Sequence, residues 1–325
     1  MNPARPAAKP AAEPAAKPAA AMSVRTATLI GSGAILLWSL LALFTAASGR
    51  VPPFQLAAMT FLVGGLLGCA SWLVRPSGLS ALRQPPAVWA LGIVGLFGYH
   101  ALYFAALRLA PPAEAGLISY LWPLLIVLFS ALLPGEGGLR AAHLAGALLG
   151  LCGVVALFLG RGSLSFEAAS LPGYAAALAC AFLWSGYSVL SRRVGVVPTD
   201  AVAGFCLATA ALSLACHLAF ERTAWPEGAS QWAAVAALGL GPVGAAFYLW
   251  DIGVKRGDIR LLGVGSYAAP VLSTLILVAS GYAPATWALA AACGLIVAGA
   301  LLAARAGHPR PGGDAAADGR GPGAP

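Results

Sequence analysis

Three tryptophans, Trp38, Trp122 and Trp184, stand in the middle of long apolar runs. An indole at such a depth carries an N–H that needs an acceptor, so it turns to a partner helix or a wet cavity. Tyr99 and Tyr103 are four residues apart, which puts both phenols on one helical face, while Tyr120 and Trp122 flank the approach to Pro123. Together these residues could line one cavity with an aromatic wall, its polar points being hydroxyls and indole N–H groups. Such a wall binds and does no bond-making: it grips a planar apolar molecule by ring contacts of about 0.5–1.5 kcal/mol each. His100 is the one candidate proton carrier beside these rings, although next to Tyr99 it could instead hydrogen-bond within the bundle. Pro123 and Pro270 each remove a backbone hydrogen bond, which predicts a kinked helix, a candidate hinge, and free carbonyls at Ser119 and Ser266 four residues earlier. A zwitterionic amino group could use such a carbonyl.

Other chemistries lack their residues. Only Lys9, Lys17 and Lys255 are lysines, and none follows a glycine, so the phosphate-cradling Gly-x-x-x-x-Gly-Lys loop is absent and the chain does not hydrolyse ATP through one. There is no His-Glu-x-x-His pair, and the four histidines lie far apart, so neither a metal site, a catalytic residue nor a cofactor is expected. Cys69, Cys152, Cys180, Cys206, Cys216 and Cys293 sit singly in apolar runs and read as small packing residues. The acids nearest the apolar runs, Glu114 and Asp251, lie toward span ends, which argues against carboxylate-based ion coupling.

The elements that must hold these residues follow from composition. Of 325 residues 60% are hydrophobic and 9% charged, too much apolar surface for a water-soluble fold to hide and too few charges to cover it. The bilayer is the solvent, and unbroken apolar runs without alternation make the spans helices. Ten runs, at about 27–47, 54–74, 87–107, 113–133, 140–160, 171–191, 201–220, 230–254, 260–279 and 285–304, are each long enough to cross. The fold class is an all-α polytopic membrane protein with ten transmembrane helices. Residues 1–25, built from Ala-Pro-Lys near-repeats, and 306–325, rich in Gly, Pro and Ala, read as disordered tails, and Met22 could be the real start. With the N-terminus inside, 15 of the 19 cations fall on inside segments and Arg50, Arg108, Arg161 and Arg222 outside, which predicts that both termini are cytoplasmic. The cations are scattered singly, so no nucleic-acid partner is expected despite a net charge of +8. Trp72, Trp89, Trp225, Trp232, Trp250 and Trp287 lie near span ends and read as an interfacial aromatic belt. Gly64 with Gly68, and Gly146 with Gly150, mark close helix approaches.

The two halves repeat. Ser119, Tyr120, Pro123 and Leu125 return as Ser266, Tyr267, Pro270 and Leu272 at a spacing of 147; Leu37-Trp38-Ser39 returns as Leu183-Trp184-Ser185, and Gly95 and Gly98 as Gly241 and Gly244, both at 146. A repeat of five spans is odd, so the second copy, 171–305, enters the membrane inverted relative to the first, 26–160, an arrangement used for alternating access. With these motifs and "EAGLISYLWPLLIVLFSALL" opening the fourth span, residues 24–305 resemble the drug/metabolite transporter superfamily, in its EamA family and aromatic amino-acid exporter branch. The resemblance implies a bacterial inner-membrane exporter of aromatic amino acids and related compounds, with Trp38, Tyr99, Tyr103, Tyr120, Trp122, Pro123 and Trp184 lining its cavity; the repeat adds Tyr267 and Pro270. A broad drug or metabolite exporter is the alternative. A phosphorylated-metabolite carrier would need cations inside the spans, and an intramembrane enzyme or scaffold has no motif here. Both repeats are present in one chain, so a monomer is expected, with the small-molecule substrate and the lipid bilayer as partners.

If His100 couples protons, His100→Ala abolishes the pH dependence of flux measured in liposomes; an unchanged profile removes that role.

Overall fold

The computed structural model describes residues 22–73, 78–133, 139–160, 162, 164–279 and 284–306. The expectations for residues 1–21 and 307–325 of the two tails lie outside the described residues. The described residues form ten membrane-length helices: spans 1 to 5 are Val24–Ala47, Pro53–Ser71, Pro86–Leu109, Pro112–Ser130 and Ala141–Leu159, and spans 6 to 10 are Ala168–Arg193, Ala201–Phe220, Gly228–Arg256, Ile259–Ala279 and Trp287–Arg305. Their ends follow from local chemistry. Spans 2, 3 and 4 start on prolines, whose missing N–H is no loss in a first turn. Ser23 caps span 1 by accepting from the Thr26 N–H, and Asp258 caps span 9 by accepting from the Arg260 and Leu261 N–H groups, both at 3.0 Å.

The packing has the symmetry of two inverted repeats. Span 2 lies on span 7, span 5 on span 10 and span 4 on span 9, each pair its own image when the repeats are exchanged. Span 1 on span 8 is mirrored by span 6 on span 3, and span 4 on span 6 by span 9 on span 1. Glycine lets neighbouring helices close, span 2 on span 8 and span 5 on span 10. A Cβ on Gly64 would stand 2.8 Å from the Gly244 Cα, and one on Gly146 would stand 2.6 Å from the Gly299 carbonyl oxygen. Gly68 and Gly150 make room for side chains instead, the Tyr248 hydroxyl and the Tyr267 ring.

Five spans are interrupted, four of them in symmetric pairs; the fifth is span 1, which breaks at Leu40 between Val24–Ser39 and Leu41–Ala47. Span 4 is two helices, Pro112–Ser119 and Trp122–Ser130, and span 9 is likewise split into Ile259–Gly265 and Ala268–Ala279. The expected kink is therefore a full break, with Pro123 in the first turn of the second helix. The carbonyl expected to be free at Ser266 is taken: it accepts from the Ala269 N–H at 3.1 Å, because the broken chain tightens to a shorter turn. At each break the serine hydroxyl turns back on its own helix, Ser119 donating to the Ala115 carbonyl (2.9 Å) and Ser266 to that of Leu262 (2.7 Å). Spans 3 and 8 carry the other pair of interruptions, π-helical turns at Val94–Gly98 and Gly241–Ala245, where the repeated glycines fall.

Gly64→Val forces the span 2–span 8 contact apart and is expected to cost about 1–3 kcal/mol, read as a lower melting temperature in detergent. Gly186→Ala meets nothing within 4 Å and serves as the control, expected to leave the melting temperature equal or slightly raised by better helix propensity.

Candidate substrate site

Four tryptophans meet where spans 1, 4, 6 and 8 converge. Every pair among Trp38, Trp122, Trp184 and Trp250 is in ring contact, with centroids from 5.1 Å (Trp38–Trp250) to 6.3 Å (Trp122–Trp184). Most of these contacts are edge-on, the arrangement the ring quadrupoles favour. Three of the four rings are buried, Trp250 completely, while Trp38 is half-buried. Tyr99 extends the cluster from span 3, 5.4 Å from Trp184, and Tyr103 lies parallel to it at 6.1 Å; both tyrosines are half-buried. Phe247 touches Trp38 and Trp184 and stacks at 5.5 Å on Phe61 of span 2.

Polar groups fix these rings. The Trp38 indole N–H donates to the Pro242 carbonyl at 3.1 Å, and the Trp250 indole N–H to the Ser188 hydroxyl at 3.0 Å. The Ser185 hydroxyl is shared between the Ala181 carbonyl (2.7 Å) and the Trp122 carbonyl (2.9 Å), which ties span 6 to the break in span 4. Ser185 is the last residue of the repeated Leu-Trp-Ser motif; its counterpart Ser39 turns instead to the Leu36 carbonyl of its own helix. His100 Nδ1 lies 2.7 Å from the Leu96 carbonyl. A carbonyl only accepts, so this nitrogen carries the hydrogen and Nε2 is the atom open to a proton.

The residues singled out above divide. Trp38, Tyr99, Tyr103, Trp122 and Trp184 come together, with Pro123 beside Trp122 at the start of its helix and His100 against Phe61 and Tyr99. Tyr120 and Tyr267 belong to a second apolar cluster between spans 4, 5, 9 and 10, where Tyr120 meets Phe158 and Tyr267 is fully buried over Gly150. Trp250 corrects an expectation: it is no interfacial residue, because span 8 is 29 residues long and its π-turn carries this part of the helix into the bundle centre. The repeat held the signal, since Phe104 at the cluster's margin stands 146 residues before Trp250. Trp225, Trp232 and Trp287 are exposed, as an aromatic belt requires.

Charges keep to the span ends. Asp251 accepts from Lys255 Nζ (2.8 Å) and from the Thr199 hydroxyl (2.6 Å), and Lys255 also donates to the Val197 carbonyl. Arg192 donates to the Val254 and Gly257 carbonyls, both at 2.8 Å, binding span 6 to the same end of span 8. At the opposite end Glu221, not singled out in the sequence, accepts from the Phe54 and Gln55 N–H groups of span 2 and lies 3.0 Å from His217 and 3.6 Å from Arg108 of span 3. Glu114 accepts from the Ser165 N–H at 2.7 Å.

The EamA-like transporter family matches residues 25–159 and again residues 171–305, one match to each five-helix repeat. The chain belongs to this family. It is a transporter-family protein with ten membrane spans, not an enzyme. Among relatives, the aromatic amino acid exporter YddG of Ancylobacter novellus is 65% identical over 283 residues, covering 87% of this chain and 98% of the relative. The exporter of the same name from Escherichia coli is 28% identical over 303 residues, 86% of this chain and 97% of its own. A solved crystal structure superposes with a TM-score of 0.83 at 64% identity, covering 86% of this chain and 98% of that one.

Lys255→Met leaves the buried Asp251 without its cation and is expected to destabilise the protein by about 3–5 kcal/mol. Adding Asp251→Asn restores most of the loss; thermal unfolding of the two variants checks both.

Proposed function

We propose that this chain exports aromatic amino acids and related bulky apolar metabolites across a bacterial inner membrane by alternating access of its two repeats, with both termini in the cytoplasm. The observation that carries the reading is the ring cluster. Four mutually touching tryptophans with Trp38, Tyr99 and Tyr103 only half-buried make a wall suited to a planar side chain, at the junction of the two repeats. Relatives at 65% and 28% identity, each covered almost end to end, bear the name of aromatic amino acid exporters, which supports the same substrate class. The excess of cations on one set of loops supports the orientation.

Trp38, Tyr99, Tyr103, Trp122 and Trp184 would contact the substrate ring, and the tyrosine hydroxyls and His100 Nε2 its polar end. Pro123 and Pro270 would act as hinge points, each at the restart of a broken span. Tyr120 and Tyr267, in the neighbouring cluster, would contribute by shaping the broken spans that close the cavity. A carrier of this kind needs no intramembrane carboxylate, since Asp251, Glu221 and Glu114 are already engaged at span ends. One copy holds both repeats, which supports a monomer.

The test is flux of radiolabelled Phe or Trp from liposomes holding purified protein. Saturable aromatic flux without an imposed ion gradient, at least tenfold reduced by Trp122→Ala in protein that still inserts and folds, is the expected outcome. Folded protein that moves no aromatic amino acid, with or without a proton gradient, overturns the reading in favour of a drug or metabolite substrate.

A further inference from the structure

The two π-turns are related by the repeat, and in each a side chain from around the ring cluster holds one carbonyl. In span 3 it is the Leu96 carbonyl, bound by His100 Nδ1 at 2.7 Å; in span 8 it is the Pro242 carbonyl, bound by Trp38 Nε1 at 3.1 Å. Leu96 and Pro242 are 146 residues apart, the spacing of the repeat itself. The two clasps differ in one respect. His100 lies on the same span as the carbonyl it holds, whereas Trp38 reaches from span 1 of the first repeat to span 8 of the second.

The clasp in span 8 sits on the π-turn itself. In a regular α-helix the Ala246 N–H would donate to the Pro242 carbonyl; here it donates to the Gly241 carbonyl, one residue further back. The Pro242 carbonyl, which does not receive the Ala246 N–H, accepts instead from the Trp38 indole in a low-dielectric bundle. In the observed π-register Trp38 is the donor to this carbonyl; in an α-register Ala246 would be. The two registers differ by one residue of helical rotation, which re-aims Phe247 and Trp250 just beyond the turn. Both of those rings touch Trp38.

We infer that Trp38 is a positioning residue for span 8: its indole N–H holds the turn in the π-register, and a ring that displaces the indole lets span 8 rewind. This deepens the proposed function, on which it rests, by giving bound substrate a lever on the helix that lines its own cavity. Trp38 would thus sense the substrate with its face and set the register of the opposite repeat with its edge. A role in binding alone would use only the face.

The test replaces Trp38 by 3-benzothienylalanine, which keeps the bicyclic shape and removes the donor, with Trp38→Phe as a second variant. Hydrogen exchange is followed by mass spectrometry on the peptide spanning Gly241–Phe247 in protein without substrate, alongside liposome flux of Phe. Loss of the clasp is expected to change the exchange rate of that peptide about fivefold as the turn leaves the π-register, and, in the benzothienylalanine variant that keeps the ring face, to lower maximal flux severalfold with the half-saturating concentration held within about twofold. Exchange unchanged in both variants, or a raised half-saturating concentration with full maximal flux, overturns the inference. The exchange arm needs no substrate, so a wild-type protein that moves no Phe would overturn the export reading and leave this arm decisive on its own.

Discussion

In hydrocarbon a backbone carbonyl that loses its helical donor has to find another, because no water stands ready to replace it. This chain interrupts its helices at five places, two serine-tyrosine breaks, two π-turns and a break at Leu40 in span 1, and at three of them a carbonyl takes a bond from a shortened turn or a side chain. Ser266 closes a shorter turn, and His100 and Trp38 each take a carbonyl at a π-turn. Four of the interruptions come in repeat-related pairs around the aromatic cluster, and the fifth lies two residues beyond Trp38 in span 1. The architecture thus gathers much of its least regular backbone around the aromatic cluster proposed as the substrate site. Spans 2, 5, 7 and 10 run unbroken and pack through glycine as the frame.

Packing around that constraint separates two jobs. The ring cluster is apolar and joined by contacts that are individually worth about 1 kcal/mol, so it can rearrange without stranding a charge. The charged ties lie away from it at both ends of the bundle: Arg192, Lys255 and Asp251 hold spans 6, 7 and 8 at one end, while Glu221 ties span 7 to the first turn of span 2 and to Arg108 of span 3 at the other. A buried ion pair is costly to break by halves. Its location at the ends makes it a means of holding one arrangement of the helices, while the cluster proposed to recognise substrate lies between them.

Much of this was legible in the chain. Apolar run lengths marked all ten spans, and three in-register matches between the halves disclosed the inverted repeat that the packing displays. Trp38, Trp122 and Trp184 were found by depth alone. What depth could not show was curvature: a π-turn in span 8 carries Trp250 from an apparent span end to the centre of the cluster, and a run of letters has no mark for that extra residue per turn. The proline pair was visible, but whether it would kink or break the helix depended on the Ser266 carbonyl finding a nearer donor. Tyr267 shares its motif with Tyr120 yet faces Gly150 of span 5, a choice set by tertiary packing. Glu221 was passed over because it follows its span by one residue, and only the fold brings the start of span 2 against it.

The central claim is that a planar ring is held by the aromatic cluster between the repeats. It is tested most directly by a crystal structure with L-4-bromophenylalanine, whose bromine is located by its anomalous signal. The account predicts a bromine peak in ring-contact range of Trp38, Tyr99 and Trp184. A peak beside Tyr120 and Tyr267, or at the lipid face, with the cluster unoccupied at saturating ligand, would contradict it.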